Sequence, residues 1–193
     1  MAKVKQSALI LSGKALAEQI KNSLKQEISE LGIAPGLAVI LIGDNEASQL
    51  YIKLKEKAAG EVGIIFNKYL CNKQCYQEID EHELEEMINF LNNDRQVNGI
   101  IVQLPLPKDF SQDEIIKLIE PRKDVDGFND GEVIPPTVAA IIELLKATGE
   151  NLHAKKTLVI GNSDIFTDGL KKFLRQELAI NECEISTDRK SVV

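Results

Sequence analysis

Leu37-Ala-Val-Ile-Leu-Ile42 runs directly into Gly43-Asp-Asn45. Apolar residues with no polar alternate suit a strand buried on both faces, and Gly, Asp and Asn together build the turn that follows. Beyond the turn, Ser48-Gln-Leu-Tyr51-Ile-Lys-Leu-Lys55-Glu-Lys57-Ala-Ala reads as a helix that stops near Gly63. Residues four apart stack along one helix face, so Tyr51 and Lys55 project together. Leu50, Leu54 and Ala58 form a neighbouring stripe and are expected to pack inward. Taken alone, such a stretch is most often a solvated basic face carrying a surface tyrosine. The same pairing of an aromatic ring with an amine can also hold a flat heterocycle and move a proton beside it.

Working outward, Ser12 is placed to cap a first helix in which Leu16, Ile20, Leu24, Ile28 and Leu31 recur at helical spacing, ended by Gly32 and Pro35-Gly36. Downstream, residues 64–70 read as a second strand, residues 80–91 as an acidic amphipathic helix with Leu84, Met87, Ile88 and Leu91 inward, and Gly99-Ile-Ile-Val102 as a third strand. Strands alternating with helices imply parallel pairing through right-handed crossovers, an α/β fold with a three-layer, parallel-sheet domain. In such sheets ligands sit beyond the carboxyl ends of the strands. The residues there are Gln103-Leu-Pro-Leu-Pro107, whose prolines end the strand and stiffen its exit.

A short helix over residues 115–119 stops before Pro121, and Lys123-Asp-Val-Asp126-Gly-Phe128 follows without helical periodicity. This segment is either an exposed turn, since Asp and Gly often do no more than build one, or a loop that aims a carboxylate at a ligand. Pro135-Pro136-Thr137 then opens a helix carrying Ile141, Ile142, Leu144 and Leu145 that closes at Gly149 and bridges to a second unit. That unit reads as a strand over residues 157–160 with a Gly161-Asn-Ser163 turn, a helix with Leu170, Phe173, Leu174 and Leu178, and a strand over residues 183–186. The boundary is expected between residues 1–147 and 148–193.

The chain has 193 residues, 44% hydrophobic and 27% charged, which suits a soluble globular protein. A net charge of −7 argues against a general nucleic-acid binder, which would carry a basic surface. No apolar run approaches a membrane span and no signal-type core opens the chain. Cys71, Cys75 and Cys183 are odd in number and match no disulfide framework, so reduced thiols in a cytoplasmic protein are expected. Without a second cysteine pair, and with His82 and His153 isolated, no metal site is expected.

The Tyr51–Lys55 helix, the Gly99-Ile-Ile-Val-Gln103-Leu-Pro-Leu-Pro107 stretch and the Lys123-Asp-Val-Asp126-Gly127 loop occur in that order and at that spacing. Together they closely resemble the bifunctional methylenetetrahydrofolate dehydrogenase/methenyltetrahydrofolate cyclohydrolase family, from about residue 5 to residue 137. The resemblance implies a homodimeric enzyme of one-carbon metabolism with tetrahydrofolate substrates. Such an enzyme oxidises the 5,10-methylene form by hydride transfer to NADP or NAD and hydrolyses the 5,10-methenyl form to 10-formyltetrahydrofolate. It makes Lys55 the general acid/base, Gln103 the residue that orients it, Tyr51 a platform for the pterin, and Asp126 with Gly127 the group that takes the pterin's amino-pyrimidine edge. Ser48 is expected to touch the same ligand. Lys57 and Lys68 are expected to be solvated surface charges that at most help attract the glutamate tail.

The resemblance also makes residues 148–193 a partial Rossmann-like unit, with Gly161, Asn162 and Ser163 at the cofactor phosphates. Here the sequence departs from the family. Pro135-Pro136-Thr137-Val138 replaces Pro-Cys-Thr-Pro, and Asn162 stands where the family has an arginine suited to a 2′-phosphate. Asp164 and Asp168 add negative charge near the expected pyrophosphate position, where free helix amides would otherwise attract it. The family's chain also continues for roughly another half-domain, so a truncated form is expected. A cyclohydrolase-only variant, or a non-catalytic folate-binding partner of a full-length relative, is the alternative.

Overall fold

A computed structural model describes residues 10–71, 79–129, 133–153, 155–160 and 164–186, with backbone alone over 164–168. The helices are α1 (Gly13–Leu31), α2 (Glu46–Val62), α3 (Glu81–Asn93), α4 (Gln112–Lys117), α5 (Pro136–Lys146) and α6 (Asp164–Leu178). The strands are β1 (Gly36–Ile42), β2 (Ile65–Cys71), β3 (Gly99–Val102), β4 (Thr157–Ile160) and β5 (Cys183–Ser186). The expected alternation of helices and strands is present among the described residues, with shifts of up to three residues at the ends, as at the start of α4 and the end of α5.

The strand at residues 36–42 is central. Its sheet has the order β2-β1-β3 with both pairings parallel, Ile40 lying opposite Tyr69 on one side and Val102 on the other. Side chains alternate across a strand, and here both faces are covered. Ala38, Ile40, Ile42, Ile100 and Val102 pack with Leu84, Ile88 and Leu91 of α3 and with Ile115 and Ile119 on one face. Val39, Leu41 and Ile101 pack with Ile52 of α2 on the other. A strand apolar at every position therefore forms the middle of three layers, as expected of a parallel sheet.

Local chemistry sets the helix ends. The Asn45 carboxamide accepts from the Ser48 N–H at 3.0 Å and starts α2, while Gly63, at φ 94°, ends it. Asp80 and Glu83 form a capping box at the start of α3. The expected inward residues of α3 are buried or packed against the core. By contrast, α1 buries no residue, despite its apolar spacing.

Compactness divides the chain into Glu18–Pro135 and a second unit that joins Pro136–Val193 to the N-terminal segment ending at Ala17. By this measure the helix over 136–146 belongs to the second unit, whereas the boundary drawn from sequence leaves it with the first. In the second unit β4 and β5 pair in parallel, Thr157 opposite Cys183, with α6 as the crossover. Leu170, Leu174 and Ile180 are buried there. No helix among the described residues is long and apolar enough to cross a membrane.

Candidate active site

The inward stripe of α2 is Ser48, Ile52, Ala59 and Val62. Lys55 falls in the same progression of three- and four-residue steps, so a half-buried lysine stands in the row that faces the protein. The expectation that Leu50, Leu54 and Ala58 pack inward is overturned: Leu50 is 59% and Leu54 56% exposed, and Ala58 is also exposed. Two contacts set the rotation of the helix. Ile52 enters the cluster of Val39, Leu41 and Ile101, and the buried Ser48 hydroxyl donates to the Leu104 carbonyl at 3.3 Å. Turned this way, α2 leaves Tyr51 60% exposed, its ring open to a planar partner one turn from Lys55.

Gln103 follows β3 directly, and its N–H extends the ladder to the Ile40 carbonyl at 2.9 Å. Its side-chain oxygen accepts from Lys55 Nζ at 3.1 Å, and its Nε2 donates to the Leu104 carbonyl at 3.1 Å. The second bond fixes which end of the amide faces the amine. The Leu104 carbonyl thus takes hydrogen bonds from both Ser48 and Gln103, tying α2 to the strand exit. The Leu104–Pro105 peptide is cis. Lys55 and Gln103 therefore meet beyond the carboxyl end of β3, where an α/β sheet places its ligands.

The loop after α4 completes the arrangement. The Ile100 N–H donates to the Lys123 carbonyl at 2.7 Å, which docks the segment beside β3. Asp126 is half-buried, and desolvation pushes its carboxyl above the ordinary carboxylate range; the Lys55 ammonium pulls it down and the Asp124 carboxylate pushes it up. Among the described residues no group donates to the Asp126 carboxylate, so both its oxygens are free to accept from a ligand.

Gly127 turns the loop at φ 68°, and a Cβ there would lie 2.6 Å from the Val133 carbonyl oxygen. Gly127→Ala is expected to cost about 3 kcal/mol, from backbone strain and steric clash together. A melting curve should show a fall of roughly 5–10 °C; an unchanged melting temperature would mean the loop relaxes freely.

Ser48, Tyr51, Lys55, Gln103, Asp126 and Gly127 thus fall on three adjoining elements, α2, the β3 exit and the following loop. The ammonium groups of Lys57 and Lys68 lie elsewhere, on exposed pairs with Glu61 at 3.9 Å and Glu56 at 2.8 Å. Gly161, Asn162 and Ser163 lie outside the described residues, as does Cys75. Cys71 and Cys183 are buried, and no group of His, Cys, Asp and Glu suited to a metal occurs among the described residues. Sequence reading missed the roles of Asp124 and Asn129. Their signal was an Asp two residues before a candidate ligand-binding Asp, at the spacing of a side chain that bonds its own loop backbone.

Residues 11–126 match the family described as "Tetrahydrofolate dehydrogenase/cyclohydrolase, catalytic domain". Among curated proteins, the "Bifunctional protein FolD" of Geotalea daltonii is 40% identical over 171 residues, 82% of this chain and 60% of that protein. The one of Nitratiruptor sp. is 38% identical over 193 residues, covering 92% and 67%. The chain thus spans about 60% of the length of several curated relatives it matches. Among solved structures, the bifunctional FolD of Campylobacter jejuni aligns at TM-score 0.82 and 37% identity, over 95% of this chain and 68% of that one. The Trypanosoma brucei methylenetetrahydrofolate dehydrogenase-cyclohydrolase, complexed with NADP cofactor and inhibitor, aligns at 0.81 and 28%, over 95% and 66%.

Proposed function

The chain belongs to the tetrahydrofolate dehydrogenase/cyclohydrolase family, and from that premise we propose that Glu18–Pro135 binds a tetrahydrofolate and interconverts its one-carbon forms. The observation that carries this is the Lys55–Gln103 hydrogen bond at the carboxyl end of β3, with an Asp126 carboxylate that accepts from no described residue close enough to feel the lysine's charge.

In the hydrolytic half-reaction, water adds to the methenyl carbon of 5,10-methenyltetrahydrofolate. The water must lose one proton as it adds and its second, to solvent, as the formyl C=O forms, and the nitrogen released when its bond to that carbon breaks must gain one. Lys55 takes the first of these protons as base and protonates the leaving nitrogen as acid. Gln103 aims the amine without a negative charge of its own, since an amide oxygen steadies an ammonium less than a carboxylate would. The pterin lies on Tyr51, and its amino-pyrimidine edge donates paired hydrogen bonds to Asp126. Gly127 and Ser48 line the same ligand. Tyr51→Ala is expected to raise KM for the folate about tenfold while kcat changes little; steady-state kinetics in which KM does not move would take the ring out of the binding surface.

The dehydrogenase half needs NADP or NAD, which when bound accepts a hydride from the methylene carbon. The parallel β4–α6–β5 crossover fits one phosphate-binding half of such a site, and Gly161, Asn162 and Ser163 stand in the sequence between β4 and α6. A cyclohydrolase-only enzyme is the second reading. It is favoured by Asp164 and Asp168 within the opening turns of α6 and by the neutral Asn162 in place of a cation. Assaying both half-reactions separates the two readings: methenyl hydrolysis without NADP- or NAD-dependent oxidation selects the second. Folate binding without either reaction would instead point to a non-catalytic partner of a full-length relative. The family resemblance also supports a homodimer in the cytoplasm, which light scattering on the purified chain tests for assembly.

A further inference from the structure

We infer that Asp124 is a positioning residue, whose carboxylate holds the loop backbone in the one shape that presents Asp126 to the ligand. The inference rests on the folate reading above. Asp124 is 2% exposed, yet no cation pairs with it among the described residues. Its charge is instead met by three backbone N–H groups of its own loop. Oδ1 accepts from Asp126 at 3.1 Å and Gly127 at 2.9 Å, and Oδ2 accepts from Asn129 at 2.7 Å. Three donors on two oxygens make a closed cradle, which an uncharged side chain of the same size cannot reproduce.

The flanking side chains pin the same segment at both ends. Lys123 Nζ donates to the Leu91 and Asp94 carbonyls at 2.8 and 2.7 Å, anchoring the loop to the end of α3. The Asn129 carboxamide donates to the Ile116 and Ile119 carbonyls, both at 2.9 Å, anchoring it to the end of α4. Every polar side chain from 123 to 129 is thus spent on holding the loop, except Asp126. The neighbouring carboxylate also acts through space. Desolvation is the larger cause of the raised Asp126 carboxyl, and the two charges that face it, Lys55 from α2 and Asp124 from its own loop, act in opposite directions.

The test is methenyltetrahydrofolate hydrolysis by the full chain carrying Asp124→Asn, which turns one acceptor oxygen into an NH2 group facing an N–H. KM should rise about tenfold or more with kcat changed less than about threefold. The acid limb of kcat/KM should move to lower pH, because a negative neighbour of Asp126 is gone. A role in stability alone would lower the melting temperature and leave both KM and the acid limb where they were; that result overturns the proposal. Asp124→Glu keeps the charge with the wrong reach, so full rescue by glutamate also overturns it. Should the asparagine variant not fold, hydrogen exchange on the unaltered protein decides: protected amides at 126, 127 and 129 support the cradle, and loop-like rates remove it. Normal kinetics for Asp124→Asn beside an active wild type would cost Asp124 its role and leave the folate reading standing. A wild type that neither binds nor hydrolyses the folate removes both.

Discussion

Lys55→Met is expected to lower methenyltetrahydrofolate hydrolysis by about 10²–10⁴-fold, the range by which a positioned acid/base group accelerates proton transfer. Methionine is close to lysine in length and suits a half-buried row, so α2 should keep its packing through Ile52, Ala59 and Val62. The loss should fall on kcat, because the lysine's protons move in the transition state while the pterin is held by other groups. Melting temperature and folate affinity should stay close to those of the unaltered chain. Gln103 sharpens the expectation. Its oxygen accepts a hydrogen bond from the Lys55 ammonium, and with methionine in place that oxygen turns to water. If hydrolysis by Lys55→Met stays within tenfold of wild type, the proton passes through another group and the proposed role fails.

Asp126→Asn carries the second large effect, and it separates binding from stability. An asparagine offers one acceptor where the pterin edge presents two donors, and sets an NH2 against the other. Folate affinity should fall about 30-fold, in line with the loss of a hydrogen bond to a charged group. The stability effect has the opposite sign. Burial raises the folded carboxyl above its ordinary unfolded value, so the folded chain holds this proton more tightly than the unfolded chain does. Stability contributed by the protonated group is present at low pH and is lost as pH rises from that value through the raised folded one. At neutral pH the charged Asp126 therefore works against folding, and the asparagine variant should melt no lower than wild type, with less affinity. The unaltered chain should in turn lose folate affinity on acidification through the raised pKa, at a pH above that of an ordinary aspartate. Calorimetric titration across pH tests both parts. An affinity flat with pH in the wild type, or unchanged in the variant, would take Asp126 off the pterin.

The acidic start of α6 bears on the dehydrogenase half. Helix amides attract phosphate within their first turn, and the sequence of α6 opens with Asp164 and carries Asp168 four residues on. Direct titration with NADP and with NAD, set beside the hydrolysis assay, therefore decides how much of the family's chemistry this chain performs.

Much of this protein was legible in its residues because the relevant physics is local. An unbroken apolar run at 37–42 can be stable only between two covered faces, Gly63 and the Asp80–Glu83 box end and start helices through neighbouring backbone, and the motifs around Tyr51, Gln103 and Asp126 put a candidate site at the strand ends. Tertiary structure alone decided how α2 is turned. Two stripes of that helix were apolar enough to face inward, and the choice went to Ser48, Ile52 and Ala59 through contacts with β1, β3 and a carbonyl 56 residues away. It also decided which aspartate of the 123–129 loop is free. Asp124 and Asp126 look alike in sequence, and only the closed backbone around the first leaves the second for a ligand, because burying a carboxylate requires donors that exist only once the loop has formed.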